Sequence, residues 1–154
     1  MTGLILDSGP LIATYAPDDR HHVRCAKLLS DWRGPVFLPE AVLIETCGFI
    51  RNVVRNGPAY EARLLRMIVA ESTGLKIVEP THGDRRRAAD LVERLVSAPF
   101  GYVDAMVLAT AERLGITNIA TVDYKFVGIA ASVSYVKPLT FVLSEIGEEE
   151  SCLD

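Results

Sequence analysis

Five short apolar runs, GLILD, PVFLP, LKIVE, NIATV and SVSYV, recur along this chain, and the stretches between them carry apolar side chains at helical spacing. Most are apolar with little of the polar alternation that marks a half-exposed strand, so they read as strands buried on both faces. Buried strands joined by helices assemble into a parallel sheet with helices on both faces. The pattern therefore predicts an α/β fold. At 154 residues the chain has about the length of one domain and can bury one sizeable core. It has no internal repeat and no mid-chain shift of composition, so residues 1–143 are expected to form one unit. Residues 144–154, SEIGEEESCLD, are expected to be an acidic, frayed tail.

Start and stop signals place the helices. Ser8 is expected to cap a first helix through SGPLIATY, with Pro10 in its first turn. A second helix over about residues 20–32 puts Cys25, Leu28, Leu29 and Trp32 on one face. Helices over residues 40–55 and 59–71 stop at Asn56-Gly57 and near Gly74. Thr81, with Asp84 three residues on, opens a helix lined by Ala88, Leu91, Val92 and Leu95 that ends before Pro99. Another covers about residues 103–114 with Gly115 as its C-cap, and SVSYV is expected to be the last strand.

Composition excludes several classes. No apolar stretch approaches the roughly 20 residues of a membrane span, and no secretory signal pattern follows Met1, so a cytoplasmic protein without membrane contact is expected. Cys25, Cys47 and Cys152 are odd in number and widely spaced, which suggests packing rather than disulfides or zinc. No GxGxxG follows the first strand, which removes a dinucleotide site. The net charge of −4 and pI near 5.4 oppose a generally basic, nucleic-acid-holding surface. A nucleic-acid substrate would need positive charge from another source.

Four carboxylates frame that question. Asp7 and Asp123 each stand at the carboxyl end of an apolar run, where open α/β sheets form ligand crevices at the point of reversed strand order. Asp104, at a helix N-terminus, can face the same rim; its ordinary alternative is to satisfy helix amides, as Asx-turns are for the other two. Glu45 lies within PEAVLIETCGFI and shares a helix face with Ala41, Val42, Gly48 and Phe49. That face is expected to be buried, and a buried carboxylate without a partner costs several kcal/mol. Arg51 and Arg55 are six and ten residues on, not the three or four that would pair with it along the helix.

If these four acids converge, each close pair repels by about 4 kcal/mol at about 4 Å and an effective dielectric of about 20. Such a cluster demands a cation, and a hard divalent ion accepts an all-oxygen ligand set. That ion would also supply the positive charge the pI withholds and suits phosphoryl chemistry by activating water.

The order LDSGPLIA with Asp7, LIE with Glu45, GYVDAMVLATAERLGI with Asp104 and IATVD with Asp123 resembles the PIN domain family, and within it the VapC-type toxins of bacterial toxin-antitoxin modules. The likeness spans residues 3 to about 143. It implies a three-layer fold with a parallel sheet in order 3-2-1-4-5, and a Mg²⁺- or Mn²⁺-dependent endoribonuclease. RNA would be cut by metal-activated water to leave 5′-phosphate and 3′-hydroxyl ends. A homodimer restrained by a cognate antitoxin protein is implied as well. Asp7 and Asp104 would then hold metal, with Glu45 and Asp123 binding directly or through water, and the four acids would be catalytic.

The chain also departs from that family's pattern. Leu95, Val96, Ser97 and Ala98 stand where many relatives have Tyr and an auxiliary acid, and Tyr124-Lys125 replaces a basic pair after Asp123. A weakly catalytic RNA-binding or regulatory protein is therefore one alternative. A phosphatase with Asp7 as nucleophile is another, although the second Asp such enzymes use two residues later is here Gly9. Ser8 and Thr121 are candidates to support the acids from behind. Lys125, Arg85, Arg86 and Arg87 are candidate RNA contacts, the triplet being disfavoured by the macrodipole where it stands. Tyr102 and Tyr124 are candidates to stack a base. His21 and His22 read as a solvated helix start.

Overall fold

In the computed structural model, residues 2–145 are described. The elements run β1 (Leu4–Leu6), α1 (Ser8–Tyr15), α2 (His22–Asp31), β2 (Val36–Pro39), α3 (Glu40–Val53), α4 (Gly57–Val69), β3 (Leu75–Val78), α5 (His82–Arg94) and α6 (Tyr102–Leu114). They continue through β4 (Asn118–Ala120), α7 (Tyr124–Val133), β5 (Thr140–Phe141) and α8 (Val142–Glu145). All five strands pair in parallel, in the order β3-β2-β1-β4-β5. The expected order 3-2-1-4-5 is thus the observed one.

The order explains where a crevice opens. Successive strands step one way from β1 to β3, and the chain then crosses back to β4 and β5, so β1 and β4 are neighbours whose connections leave in opposite directions. Right-handed crossovers then place α1–α4 over one face and α5–α7 over the other. Leu4, Ile5 and Leu6 in β1 and Ile119 and Ala120 in β4 are completely buried, as central strands covered on both faces must be. Leu6 is paired with Ala120, so the next residues, Asp7 and Thr121, emerge side by side at the carboxyl edge.

Local signals set the helix ends. The Thr81 hydroxyl accepts from the Asp84 N–H at 3.1 Å and the Asp84 carboxylate accepts from the Thr81 N–H at 3.0 Å, the reciprocal cap expected from their spacing. Gly115 closes α6 with φ of 65°. The α3–α4 corner turns through Asn56, whose φ is 57°, and at Gly57 a Cβ would come within 2.0 Å of the Ile50 carbonyl oxygen. Only glycine fits so close an approach.

Three readings are corrected. The cap of α1 is Asp7, one residue before Ser8, and its carboxylate accepts from the Ser8 N–H. SVSYV is not a strand: Ser132 and Val133 end a helix, α7, that Asp123 caps, and the last strand lies at Thr140–Phe141. The backbone after α7 has other partners. Val133 O accepts from Arg87, Ser134 N–H donates to Ala130 O, Tyr135 N–H donates to Glu112, and Val136 N–H donates to the Ser134 hydroxyl. The three amides from Ser134 to Val136 are thus taken up outside any sheet ladder. Lastly, the inward face of α3 is Val42, Leu43, Thr46 and Ile50, which leaves Glu45 exposed rather than buried.

Cys25 is buried and Cys47 half-buried, both as free thiols, while Cys152 lies outside the described residues, as does the acidic tail from residue 146. No described helix is long and apolar enough to cross a membrane.

Candidate active site

Asp7 is the anchor of the carboxyl edge. The residue is only 5 % exposed, and each carboxylate oxygen has a fixed partner: Oδ1 accepts from the Ser8 N–H at 2.8 Å and Oδ2 from the Thr121 hydroxyl at 2.9 Å. Burial pushes its pKa up to about 6, against the lowering effect of those two hydrogen bonds, and repulsion from Asp104 and Glu45 adds to the rise. Among the described residues no positive side chain pairs with it. An ionised carboxylate buried beside two others is a group prepared for a cation.

Thr121 ties the edge together. Its hydroxyl donates to Asp7 and accepts from the Asp123 N–H at 3.1 Å, so one buried side chain fixes both residues. Asp123 itself is exposed and caps α7, one oxygen accepting from the N–H groups of Lys125 and Phe126 at 3.0 and 3.3 Å. Asp104 is half-buried in the first turn of α6. It is not the cap residue, since it reaches back to accept from the Gly101 N–H at 2.9 Å. Partial burial raises its pKa, the Gly101 bond lowers it, and repulsion from Asp123 raises it further.

Glu45 completes the ring from the other face. It remains open to solvent, yet partial desolvation raises its pKa, the neighbouring Ser8 hydroxyl lowers it, and Asp104 raises it. The repulsions form a linked set: Asp7 with Glu45 and Asp104, Glu45 with Asp104, and Asp104 with Asp123. The structure thus gathers Asp7, Ser8, Glu45, Asp104, Thr121 and Asp123 at one edge. Among the described residues no three acidic, histidine or cysteine side chains lie close enough to form a ready-made metal cage. The acids are neighbours along one edge and do not converge on a single point.

The donor set nonetheless matches a hard divalent ion in chemistry: carboxylate oxygens, mutual repulsion, and no nitrogen or sulfur ligand. Asp7 and Asp104, buried and half-buried, are the members suited to hold it directly, with Glu45 and Asp123 at the open side.

The basic candidates divide. Lys125 is exposed in the first turn of α7, beside Asp123. The arginine triplet lies elsewhere. Arg87 binds Glu112 through two parallel hydrogen bonds of 2.9 and 3.0 Å, and Glu112 is eight residues, about 12 Å, along α6 from Asp104. Arg87 also donates to the Val133 carbonyl at 2.9 Å and lies 3.7 Å from the centre of the Tyr135 ring. Its guanidinium is committed, through Nε and Nη2, to holding helices together. Arg85 and Arg86 are exposed on the same remote turn. His22 Nδ1 is hydrogen-bonded to the Ala13 carbonyl at 2.7 Å, so the histidine pair belongs to the α1–α2 corner.

Sequence reasoning missed the Gly101 amide as the group that orients Asp104, although glycine three residues before an aspartate at a helix start carries that signal. It also missed a groove of about 480 Å³ whose lining includes Ile12, Phe49, Val53, Arg55 and Tyr60. The groove begins one helical turn beyond the acids, because Ile12 follows Ser8 by four residues and Phe49 follows Glu45 by four.

The fold is shared with known structures. VapC20 of Mycobacterium tuberculosis, described as a sarcin-ricin loop cleaving toxin, superposes with a TM-score of 0.69 at 21% identity, over 81% of this chain and 93% of its own. FitAcB of Neisseria gonorrhoeae gives 0.60 at 15% identity over 85% and 94%. DNA-bound VapBC of Salmonella typhimurium gives 0.60 at 14% identity over 92% and 97%. At such identities the likeness concerns the fold. No curated protein matches in sequence. The sequence profile of the PIN domain matches residues 4–131, most of the chain, and with the sheet order and the acidic edge in place the chain belongs to the PIN domain family.

Proposed function

We propose that this protein is a divalent-metal-dependent endoribonuclease of the VapC toxin type. The observation that carries the reading is the linked set of four carboxylates around a buried Asp7 that has no positive partner among the described residues. The PIN domain is a nuclease fold, and the superposed structures include a toxin described as cutting the sarcin-ricin loop. A bound Mg²⁺ or Mn²⁺ would supply counter-charge to the acids and the scissile phosphate and lower the pKa of the attacking water. Asp7 and Asp104 would hold it, with Glu45 and Asp123 direct or through water.

The residues themselves do three things. Thr121 and the Ser8 amide fix Asp7 in one orientation, and the Gly101 amide does the same for Asp104. Lys125 offers a positive charge to phosphate beside Asp123. The exposed carboxylates Glu45 and Asp123 are free to take up a proton from water at the open side.

An antitoxin partner and a homodimer belong to the same proposal. Superposed proteins include toxin-antitoxin complexes, and the apolar-floored groove beside the acids suits a polypeptide segment. Residues 1–143 would be the nuclease unit. The deciding experiment is to incubate the purified protein with total cellular RNA and Mg²⁺ or Mn²⁺ and map new 5′ ends. Discrete cleavage that Asp7→Asn abolishes supports the reading; binding of RNA without cleavage would favour a regulatory protein instead.

A further inference from the structure

Gly9 brings no side chain to the acidic edge, yet it stands where the two sides of that edge meet. On one side Asp7 caps α1, and the Ser8 hydroxyl turns to Glu45. On the other, Thr121, Val122 and Asp123 lead from β4 into α7, and Asp123 lies close enough to repel Asp104. Two hydrogen bonds tie the sides together: the Asp7 N–H donates to the Ala120 carbonyl at 3.0 Å, and the Thr121 hydroxyl donates to Asp7 Oδ2 at 2.9 Å. Gly9 and Val122 add a third contact, without polar atoms.

The backbone of Gly9 is ordinary helix with no positive φ, and glycine weakens a helix relative to alanine. The reason for glycine here is therefore tertiary. A Cβ at position 9 would lie 2.4 Å from Val122 Cγ2, but 3.7 Å from Val122 Cβ and 3.9 Å from the Val122 nitrogen. The first separation is a collision and the other two are ordinary contacts, so a single methyl group of Val122 takes the space a side chain would need. Val122 yields poorly. It is β-branched, with a stiff χ1, and half-buried against the core. Its neighbours are also tied, because the Thr121 hydroxyl donates to Asp7 and accepts from the Asp123 N–H at 3.1 Å. A side chain at position 9 would press on residues 121–123 and disturb both the hold of Thr121 on Asp7 and the placement of Asp123.

We propose that Gly9 is a positioning residue: by admitting Val122 against the first turn of α1, it sets the spacing of Asp7 and Glu45 from Asp104 and Asp123, and with it the fit of a divalent ion. The inference rests on the metal-dependent ribonuclease reading and goes beyond it, since it assigns the spacing of the acids to a residue with no functional group.

The test measures Mn²⁺ binding by the full-length protein without RNA, from the loss of the free-ion EPR signal, alongside cleavage of total RNA over a series of Mg²⁺ concentrations. Gly9→Ala is expected to weaken Mn²⁺ binding roughly tenfold and to raise the Mg²⁺ needed for half-maximal cleavage by a similar factor. Val122→Ala deletes the colliding methyl and leaves only the ordinary contacts, so Gly9→Ala/Val122→Ala should bind Mn²⁺ within about twofold of the unmodified protein. Arg87→Ala, which loosens the fold at the remote end, should leave Mn²⁺ affinity unchanged; this separates the spacing of the acids from a general loss of stability. Unchanged Mn²⁺ binding in Gly9→Ala, no recovery in the double variant, or an equal loss in Arg87→Ala would overturn the proposal. Asp7→Asn reads the underlying assignment. If the unmodified protein binds no more Mn²⁺ than Asp7→Asn does, the metal-site reading fails and the role of Gly9 with it; if Asp7→Asn removes Mn²⁺ binding that Gly9→Ala leaves intact, only the spacing fails.

Discussion

Asp7 holds its charge at a cost to folding. Its pKa is about 6 in the folded protein against an ordinary 3.8, so in the absence of metal the folded state favours the protonated form. Stability from that preference is complete below about pH 4, is lost as the pH rises toward 6, and leaves a penalty of about 3 kcal/mol at neutral pH. Asp7→Asn removes the charge and keeps an acceptor for the Ser8 amide, but the Thr121 hydroxyl loses its acceptor there. A net gain of roughly 1 to 2 kcal/mol is expected at pH 7.5 in chelator, together with loss of cleavage. Urea melts at pH 7.5 and pH 4.5 check it; the gain should vanish at the lower pH. Thr121 allows a separate prediction. Its bond holds the Asp7 pKa down, so Thr121→Val should raise that pKa and move the acidic limb of the cleavage profile to higher pH, whereas Thr121→Ser should leave the limb in place. A pH profile of initial rates decides it.

Two elements are locked by charge at the end remote from the acids. Arg87 and Glu112 have side chains only 16% and 7% exposed, and their pair joins α5 and α6 to the end of α7 through Val133 and Tyr135. Removing one partner of a largely buried pair strands the other, so Arg87→Ala should destabilise by about 3 kcal/mol. Arg85→Ala and Arg86→Ala, on the exposed face, should stay within about 0.5 kcal/mol by denaturant midpoint. The three neighbours in sequence thus differ sharply, and only the fold tells them apart. The same is true of α7. Its sequence YKFVGIAASV contains Gly128 and β-branched residues, which weaken a helical reading, and SVSYV alternates like a strand. What makes it a helix is tertiary: the Asp123 cap and the burial of Phe126 and Ala130, four residues apart. Glu45 departs from its expected burial for a related reason. A helix face can be drawn through Val42 and Glu45, yet the set Val42, Leu43, Thr46 and Ile50 buries more apolar surface, and that burial sets the orientation. Four strands and the caps at Thr81 and Gly115 are legible in the sequence because each depends on local pattern; the four acids stand out by their order along the chain, Glu45 with the wrong burial, and the side chains that join distant turns are not legible at all.

For the molecule as a whole, charge and chemistry have to be reconciled. The net charge is −4, four acids crowd one edge, and Lys125 is the cation placed beside Asp123, so a polyanion is poorly received by the protein alone. Affinity for RNA should therefore depend on divalent metal more than on basic surface, and EDTA should abolish cleavage and weaken binding together. The proposed chemistry also fixes the products. Attack by the RNA's own 2′-hydroxyl needs a general base and acid near the phosphate, a task for which histidine is best suited. His22 is committed to Ala13 in the α1–α2 corner, its neighbour His21 lies at the same corner, and His82 opens α5 near the remote Thr81–Asp84 cap. No histidine is among the acids. Attack by water leaves 5′-phosphate and 3′-hydroxyl ends and makes the 2′-hydroxyl a matter of recognition only. A single 2′-deoxy substitution at the cut site should thus slow cleavage without blocking it. Mass spectrometry of a hairpin RNA cut in Mg²⁺ reads the ends directly; a 2′,3′-cyclic phosphate, or full activity in EDTA, would overturn the metal-holding and catalytic roles of Asp7, Glu45, Asp104 and Asp123.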